Sequence, residues 1–265
     1  MITFTVDLED PTGQYGANGR YVLMTRRILD MCDELGRKAT FFTIGRIAGS
    51  APDLIKDISA RGHEVAYHSR NHISLTEDDP HSFRKETAED KEKFEQLTGK
   101  PVAGFRAPRF SLTPKSRWAI DVLGELGFKY SSSIMPTQVS RFGFPEASRL
   151  PFKWPNDLIE LPLPVGGPNK LPYLGGIYLY AMPFAVTRMM VKRADPKEVL
   201  WTYTHPYDFD RDEKFQRMPD DALWVSVVLW LARRVAENKI RKVLSLGPAG
   251  TMAERAAANF PGTYS

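Results

Sequence analysis

The feature that most constrains the fold is an alternation. Short apolar runs rich in β-branched and aromatic residues are each followed by a helical pattern. "ITFTV" (2–6) reads as a strand, "YVLMTRRILDMCDELG" (21–36) as a helix, and "ATFFTIG" (39–45) as a second strand. "APDLIKDISARG" (51–62), with Pro52 in its first turn, reads as a helix, and "HEVAYH" (63–68) as a third strand. The charged stretch 79–99 predicts a long helix, 101–108 a strand, and 113–127 a helix with Thr113 as its cap. "FKYSSSI" (128–134) continues as strand or turn. Strands alternating with helices of this length predict parallel strands joined by crossover helices. Carried past four units, the pattern favours a barrel or an open doubly wound sheet.

The segment 136–181 departs from the alternation. It is rich in Pro and Gly, as in "LPLPVGGPNKLPYLGGIY", and reads as an irregular insertion that shapes one end of the fold. The pattern then resumes with a helix over 182–194, a strand over 198–206 and a helix over 220–239. A strand is expected over 241–247 and a closing helix over 249–260. The expected organisation is a single domain, 1–265.

Charge and cysteine content exclude several classes. The 36 basic and 32 acidic residues leave a net charge of +4, with no run of five Lys or Arg, so nucleic acid is not an expected partner. That charge is compatible with an anionic glycan or a bilayer surface. The single cysteine, Cys32, excludes an internal disulfide and reads as a small core residue. The longest strongly apolar stretch, "ALWVSVVLWLA" (222–232), is too short to span a bilayer. The chain opens on a strand pattern with no basic and apolar leader, which sets the expectation of a cytoplasmic protein.

In parallel α/β folds, ligands gather at the C-terminal strand ends. Four such ends here carry polar chemistry: Asp7, Glu9 and Asp10 in "VDLED"; His68 and His72 in "YHSRNH"; Arg106 and Arg109 in "FRAPRF"; His205, Asp208 and Asp210 in "YTHPYDFD". Singly, each has a plain structural explanation. An acid after a strand often caps the next helix, and two histidines four apart are common on surfaces. Together they change the balance. Two histidines and one carboxylate make a three-donor site suited to a catalytic divalent ion, which polarises a carbonyl and acidifies water. A second carboxylate can then serve as general base and a separate histidine as general acid. The inventory matches metal-assisted hydrolysis of an acyl or amide bond.

These residues, in this order, resemble the polysaccharide deacetylase family, the carbohydrate esterases of family 4 with a NodB homology domain. "TVDLEDP" is similar to its first motif, "HSRNH" to its second and "RAPRF" in part to its third. The resemblance implies a distorted (β/α) barrel, often seven-stranded. It makes Asp7 the catalytic base and His68 and His72 metal ligands, with Arg106 holding and orienting Asp7. The third ligand is expected at Asp10, with Glu9 as the alternative. His205 is the candidate general acid, and its H-P-aromatic-acid setting resembles a branch from bacterial envelope polysaccharide (O-antigen, lipopolysaccharide) clusters. Ser131 stands where the family usually offers an acid.

The implied reaction removes an N-acetyl group from an acetamido sugar in a polysaccharide or glycan precursor. The cofactor would be a divalent metal, zinc first, with cobalt, nickel, manganese or iron as alternatives. A nucleotide- or lipid-linked sugar is the expected substrate form. Arg109, Trp154 and Tyr180 are candidates for substrate contact; the aromatic rings can equally pack the insertion onto the barrel. Two rival readings are an allantoinase-like amidase and a non-catalytic sugar-binding or scaffold protein on the same barrel.

Overall fold

The structure is a computed structural model describing residues 1–138, 142–217, 222–258 and 260. Residues 139–141 of the insertion, the expected helix start at 220–221, residue 259 of the last expected helix and residues 261–265 lie outside the described residues.

The strands are β1 (Ile2–Leu8), β2 (Ala39–Thr43), β3 (Glu64–Tyr67), β4 (Gly104–Phe105), β5 (Tyr130–Ser131), β6 (Phe152–Lys153), β7 (Ile159–Glu160) and β8 (Leu200–Thr204). They form one curled sheet in the order β6-β7-β5-β4-β3-β2-β1-β8. Every pair is parallel except β6–β7, so seven parallel strands carry one antiparallel edge strand. This is the expected distorted (β/α) barrel. The helices are α1 (Arg20–Glu34), α2 (Ile47–Ser50), α3 (Pro52–Ala60), α4 (Pro80–Thr98), α5 (Trp118–Glu125), α6 (Gly176–Ala181), α7 (Phe184–Arg193), α8 (Leu223–Leu244) and α9 (Met252–Ala256).

Period-2 alternation sorts each strand between two environments. In β1, Ile2, Phe4, Val6 and Leu8 pack toward the helices, against Ile28, Leu29 and Cys32 of α1. Thr3, Thr5 and Asp7 therefore point to the barrel interior, where a second cluster includes Phe42, Ala66, Tyr130, Leu161 and Trp201. Cys32 is buried, as its helical spacing predicts. Helix α4 starts at Asp79, whose side chain accepts from Ser82 N at 2.8 Å, and stops at Gly99, in the left-handed region at φ 64°.

Two expectations are corrected. The strand expected over 241–247 is the last turn of α8 and the residues after it. Val243 and Leu244 continue a buried stripe that includes Ala236 and Ile240, a helical period that outweighs their look as a short apolar run. The insertion also does more than shape one end. Its residues 152–153 and 159–160 add β6 and β7 to the sheet, with Trp154 N donating to Leu158 O at 2.8 Å to close the turn. Unlike β4 and β5, which are as short but fall in expected strand segments, β6 and β7 lie in a Pro-rich stretch without an apolar alternation to mark them.

Candidate metal and catalytic site

Strand register builds the site. Leu8 pairs with Thr43, Thr43 with Tyr67, and Tyr67 with Phe105, while Val6 pairs with Thr204. The next residues out, Glu9, His68 and Arg106, thus leave the sheet on one level. His205 leaves level with Asp7. Local chain geometry then brings His72 back. Ser69 and His72 adopt left-handed backbone (φ 63° and 58°), and Ser69 Oγ accepts from His72 N at 3.1 Å. The His68 and His72 rings end with centroids 5.2 Å apart. Left-handed backbone is unfavourable for residues with a Cβ and is kept where function or packing demands it.

Glu9, His68 and His72 each offer a donor atom, all within 4.8 Å of one another. Glu9 Oε2 lies 2.6 Å from His72 Nε2 and 3.9 Å from His68 Nε2. The fit to a metal rests on how these atoms are left. His68 Nδ1 lies 2.8 Å from the Arg106 carbonyl, which can only accept, so Nδ1 carries the proton and Nε2 presents its lone pair. Glu9 Oε2 is buried and, despite the close nitrogen, lacks an aligned hydrogen bond. Lone pairs converging on one point are costly unless a cation accepts them. Burial would raise the Glu9 carboxyl, but the His72, His205 and His68 imidazoles hold it well below the usual carboxylate range. Burial pushes His68 down to about 4, against the pull of Asp7 and Glu9, so it is neutral and able to ligate.

Asp10, the expected third donor, is turned away. Its Oδ1 accepts from the backbone N of Thr12 at 2.8 Å and from the Thr12 hydroxyl. Glu9, the alternative acid, stands in the site instead. The reason is parity: Thr3, Thr5, Asp7 and Glu9 share one face of the strand and its extension, and Asp10 falls on the other.

Asp7 and Arg106 form a buried ion pair beneath this cluster. Arg106 Nη1 donates to Asp7 Oδ1 at 2.5 Å and to Thr5 Oγ1 at 2.8 Å. The guanidinium lies 3.8 Å from the Phe42 ring centroid and 4.2 Å from that of Trp201, which fix its plane. Removing either partner would leave an uncompensated buried charge, at a cost of about 3–5 kcal/mol. On the other side, His205 Nε2 is 3.7 Å from Glu9 Oε1. Its ring stacks on Tyr207 at 4.6 Å and an interplanar angle of 7°. Asp208 Oδ2 accepts from His205 N at 2.8 Å and faces its Nδ1 at 3.2 Å. Burial alone would lower the imidazole, but the hydrogen bond and charge of Asp208, with Glu9 and Asp7, raise it to about 9.

The remaining candidates divide. Arg109 sits three residues past Arg106 on the same rim loop, half-buried, with φ 56°. Trp154 is buried on the helix side of the sheet, edge-on to Phe152 at 5.2 Å. It packs the insertion down rather than facing the rim. Tyr180 is also buried; burial and the neighbouring Asp208 charge push its ionisation well above that of free tyrosine. It backs Asp208 instead of opening to a ligand. Ser131 Oγ donates to Ser133 Oγ at 2.8 Å, and the buried carboxyl beside it is Glu160, which accepts from Ser133 N and Ile134 N. His205 has its acid at Asp208, so Ser131 leaves it no gap. Asp208 and Thr5 were not assigned roles from sequence. The i, i+3 spacing in "HPYD" is the signal that could have found Asp208.

Two imidazoles and a carboxylate thus converge at the C-terminal rim of a curled parallel sheet, beside an Arg-held Asp and an Asp-backed His. The region 13–131 belongs to the polysaccharide deacetylase family by its match to the model for Polysaccharide deacetylase, and residues 132–256 match the model for a domain of unknown function, DUF3473. It is 30% identical over 84 residues to a peptidoglycan-N-acetylglucosamine deacetylase of Bacillus cereus, covering 32% of this chain and 39% of the relative. It is 38% identical over 68 residues to a chitooligosaccharide deacetylase of Rhizobium leguminosarum bv. trifolii, covering 26% and 32%. The chain thus matches only about a third of the length of these curated relatives. In fold it is similar to a Mycobacterium smegmatis protein assigned to the polysaccharide deacetylases, with TM-score 0.57, 20% identity and coverage of 96% of this chain and 89% of that one. Among the described residues no helix is long and apolar enough to cross a membrane.

Proposed function

We propose that the protein is a metal-dependent hydrolase that removes an N-acetyl group from an acetamido sugar of a polysaccharide or glycan precursor. The observation that carries this reading is the convergence of Glu9, His68 and His72 between Asp7 and His205. Glu9, His68 and His72 would hold the ion; two nitrogens and a carboxylate oxygen suit zinc best, then cobalt, nickel, manganese or iron. When bound, the metal supplies Lewis acidity toward the acetyl carbonyl and toward water.

The chain's own residues do the rest. Asp7, fixed by Arg106, takes the proton of the attacking water as a new C–O bond forms at the acetyl carbon. His205, protonated at neutral pH, gives its proton to the departing nitrogen as the C–N bond breaks. Asp208 keeps Nδ1 engaged so that Nε2 faces the site. Acetate and a free amino sugar result. Arg109, on the rim, is assigned to the substrate. A nucleotide- or lipid-linked sugar of envelope polysaccharide synthesis, handled in the cytoplasm, is the substrate form we favour, on the likeness of "HPYD" to that branch.

Metal analysis of the purified protein and acetate release from a panel of acetamido sugars test the reading. Stoichiometric zinc and acetate release are expected. Neither metal nor acetate would overturn it in favour of a sugar-binding protein on the same barrel, and hydrolytic ring opening of a cyclic ureide in place of acetate release would favour the amidase.

A further inference from the structure

Helix α8 is apolar on the wrong side. Its inward stripe includes Ser226, Arg233, Ala236, Ile240 and Val243. Its outward face carries Leu223, Val227, Leu231 and Val235, one every four residues, with Trp224 beside them. Trp224 is 65% and Leu223 55% exposed, and the row runs about 18 Å along the helix. A water-facing helix face is ordinarily polar, and a contiguous apolar patch marks an interaction surface.

The charges around the row say what it meets. Toward the C-terminal end of the same face stand Arg234 and Lys242, both exposed. Helix α7, packed beside α8, adds exposed Arg188, Lys192 and Arg193. The single acid of α8, Glu237, is taken up by Arg27 and Arg241. An apolar face with Trp and Leu, flanked by Lys and Arg, matches a surface that is apolar within and anionic at its edge.

A separate observation points to the same chemistry. A cavity of about 470 Å3 lies under α7, walled by Leu171, Tyr173, Val186, Met189, Met190 and Arg193 among others. Met189 both lines it and is exposed on the surface, so the cavity reaches the outside on α7. Arg149 on the wall is paired with Glu198, which leaves Arg193 as the cation of an apolar pocket, a setting that suits an alkyl chain carrying an anionic head.

We propose that the α7–α8 face is a docking surface for an anionic lipid bilayer, on which α8 lies in the interface plane without crossing it. The inference is independent of deacetylation. The test is co-sedimentation of the full chain with phosphatidylcholine vesicles made with and without phosphatidylglycerol. The protein is expected to sediment with the anionic vesicles and to be released by salt. Leu231→Glu, on an exposed position that leaves the fold intact by circular dichroism, should weaken partitioning at least about tenfold. Arg234→Glu combined with Lys242→Glu should remove the preference for anionic lipid. A wild-type chain that stays in the supernatant with both vesicle types would overturn the proposal. So would a Leu231→Glu chain that sediments as the wild type does, or a dimer in solution that this substitution dissociates. Acetate release from a soluble acetamido sugar, run in parallel, reads the deacetylase assignment separately.

Discussion

The two ends of the barrel each hold a carboxylate withdrawn from solvent near a histidine, and they are opposites. At the C-terminal rim, Glu9 has an oxygen with no aligned donor and imidazoles crowding it. At the N-terminal end, Glu64 is half-buried and provided for. Tyr130 OH donates to its Oε1 at 2.8 Å, and Thr40 Oγ1 and Ala253 N donate to its Oε2 at 2.7 and 3.0 Å. Helix α9 closes that end, with Met252 N donating to Thr40 Oγ1. Nearby, His63 Nδ1 accepts from Ala39 N at 3.1 Å, with its ring against Phe41. Burial raises Glu64, whereas the surrounding imidazoles lower Glu9 despite burial. Burial of polar groups therefore does not mark a site. What marks it is several donor atoms aimed at one point, as with Glu9, His68 and His72, and not a lone unpaired atom such as His63 Nε2.

Substituting the two glutamates breaks this contrast most directly. Glu9→Ala should abolish stoichiometric metal, read by elemental analysis, with little change in the urea midpoint of the metal-free protein. Glu64→Ala should retain metal while lowering stability by about 2–3 kcal/mol, because Tyr130, Thr40 and Ala253 lose their acceptor. Equal effects on metal would erase the distinction. Next in size, Asp7→Asn should cut acetate release by about 10²–10⁴-fold with metal retained, since the ligands stay and the base goes. Full activity in this variant would remove Asp7 from its role.

A smaller effect is expected at Asp208→Asn. Losing that charge lowers the His205 imidazole from about 9, so the alkaline limb of the rate profile should move toward neutrality and kcat fall about tenfold. An unmoved limb with a uniform loss would make Asp208 a packing residue. The smallest effect lies at the other end. His63 is held down to about 4 in the fold, against 6.5 when free, first by burial and then by Lys38. The unfolded chain takes up that proton first as pH falls. The stability gained by keeping His63 neutral is thus complete above about 6.5 and lost between there and 4, on the order of 1–3 kcal/mol. Urea midpoints at pH 7 and pH 5, compared with a His63→Gln chain, measure it; equal slopes in the two chains would count against it.

Much of this was legible in the chain itself. The strands from Ile2, Ala39 and Glu64 announce themselves by alternation, and "HSRNH" follows one of them where parallel sheets gather ligands. Even the choice between Glu9 and Asp10 was present as parity: Thr3, Thr5, Asp7 and Glu9 are all odd positions of one extended run. The sequence misled where local preference and tertiary demand disagree, as at Val243 and Leu244, whose look as a short apolar run is overruled by a helix that buries a residue every three or four positions.

Sequence alone determined the alternation of elements, the parallel topology and the residue types at the strand ends, because these follow from backbone periodicity and side-chain chemistry. Only the tertiary structure decided that Asp208 backs His205, that Trp154 and Tyr180 are packed inward, and that the outward face of α8 is left bare. Those outcomes depend on register between strands and on which neighbour arrives across tens or hundreds of residues. No local pattern encodes such contacts, since each is fixed by the packing of the whole barrel.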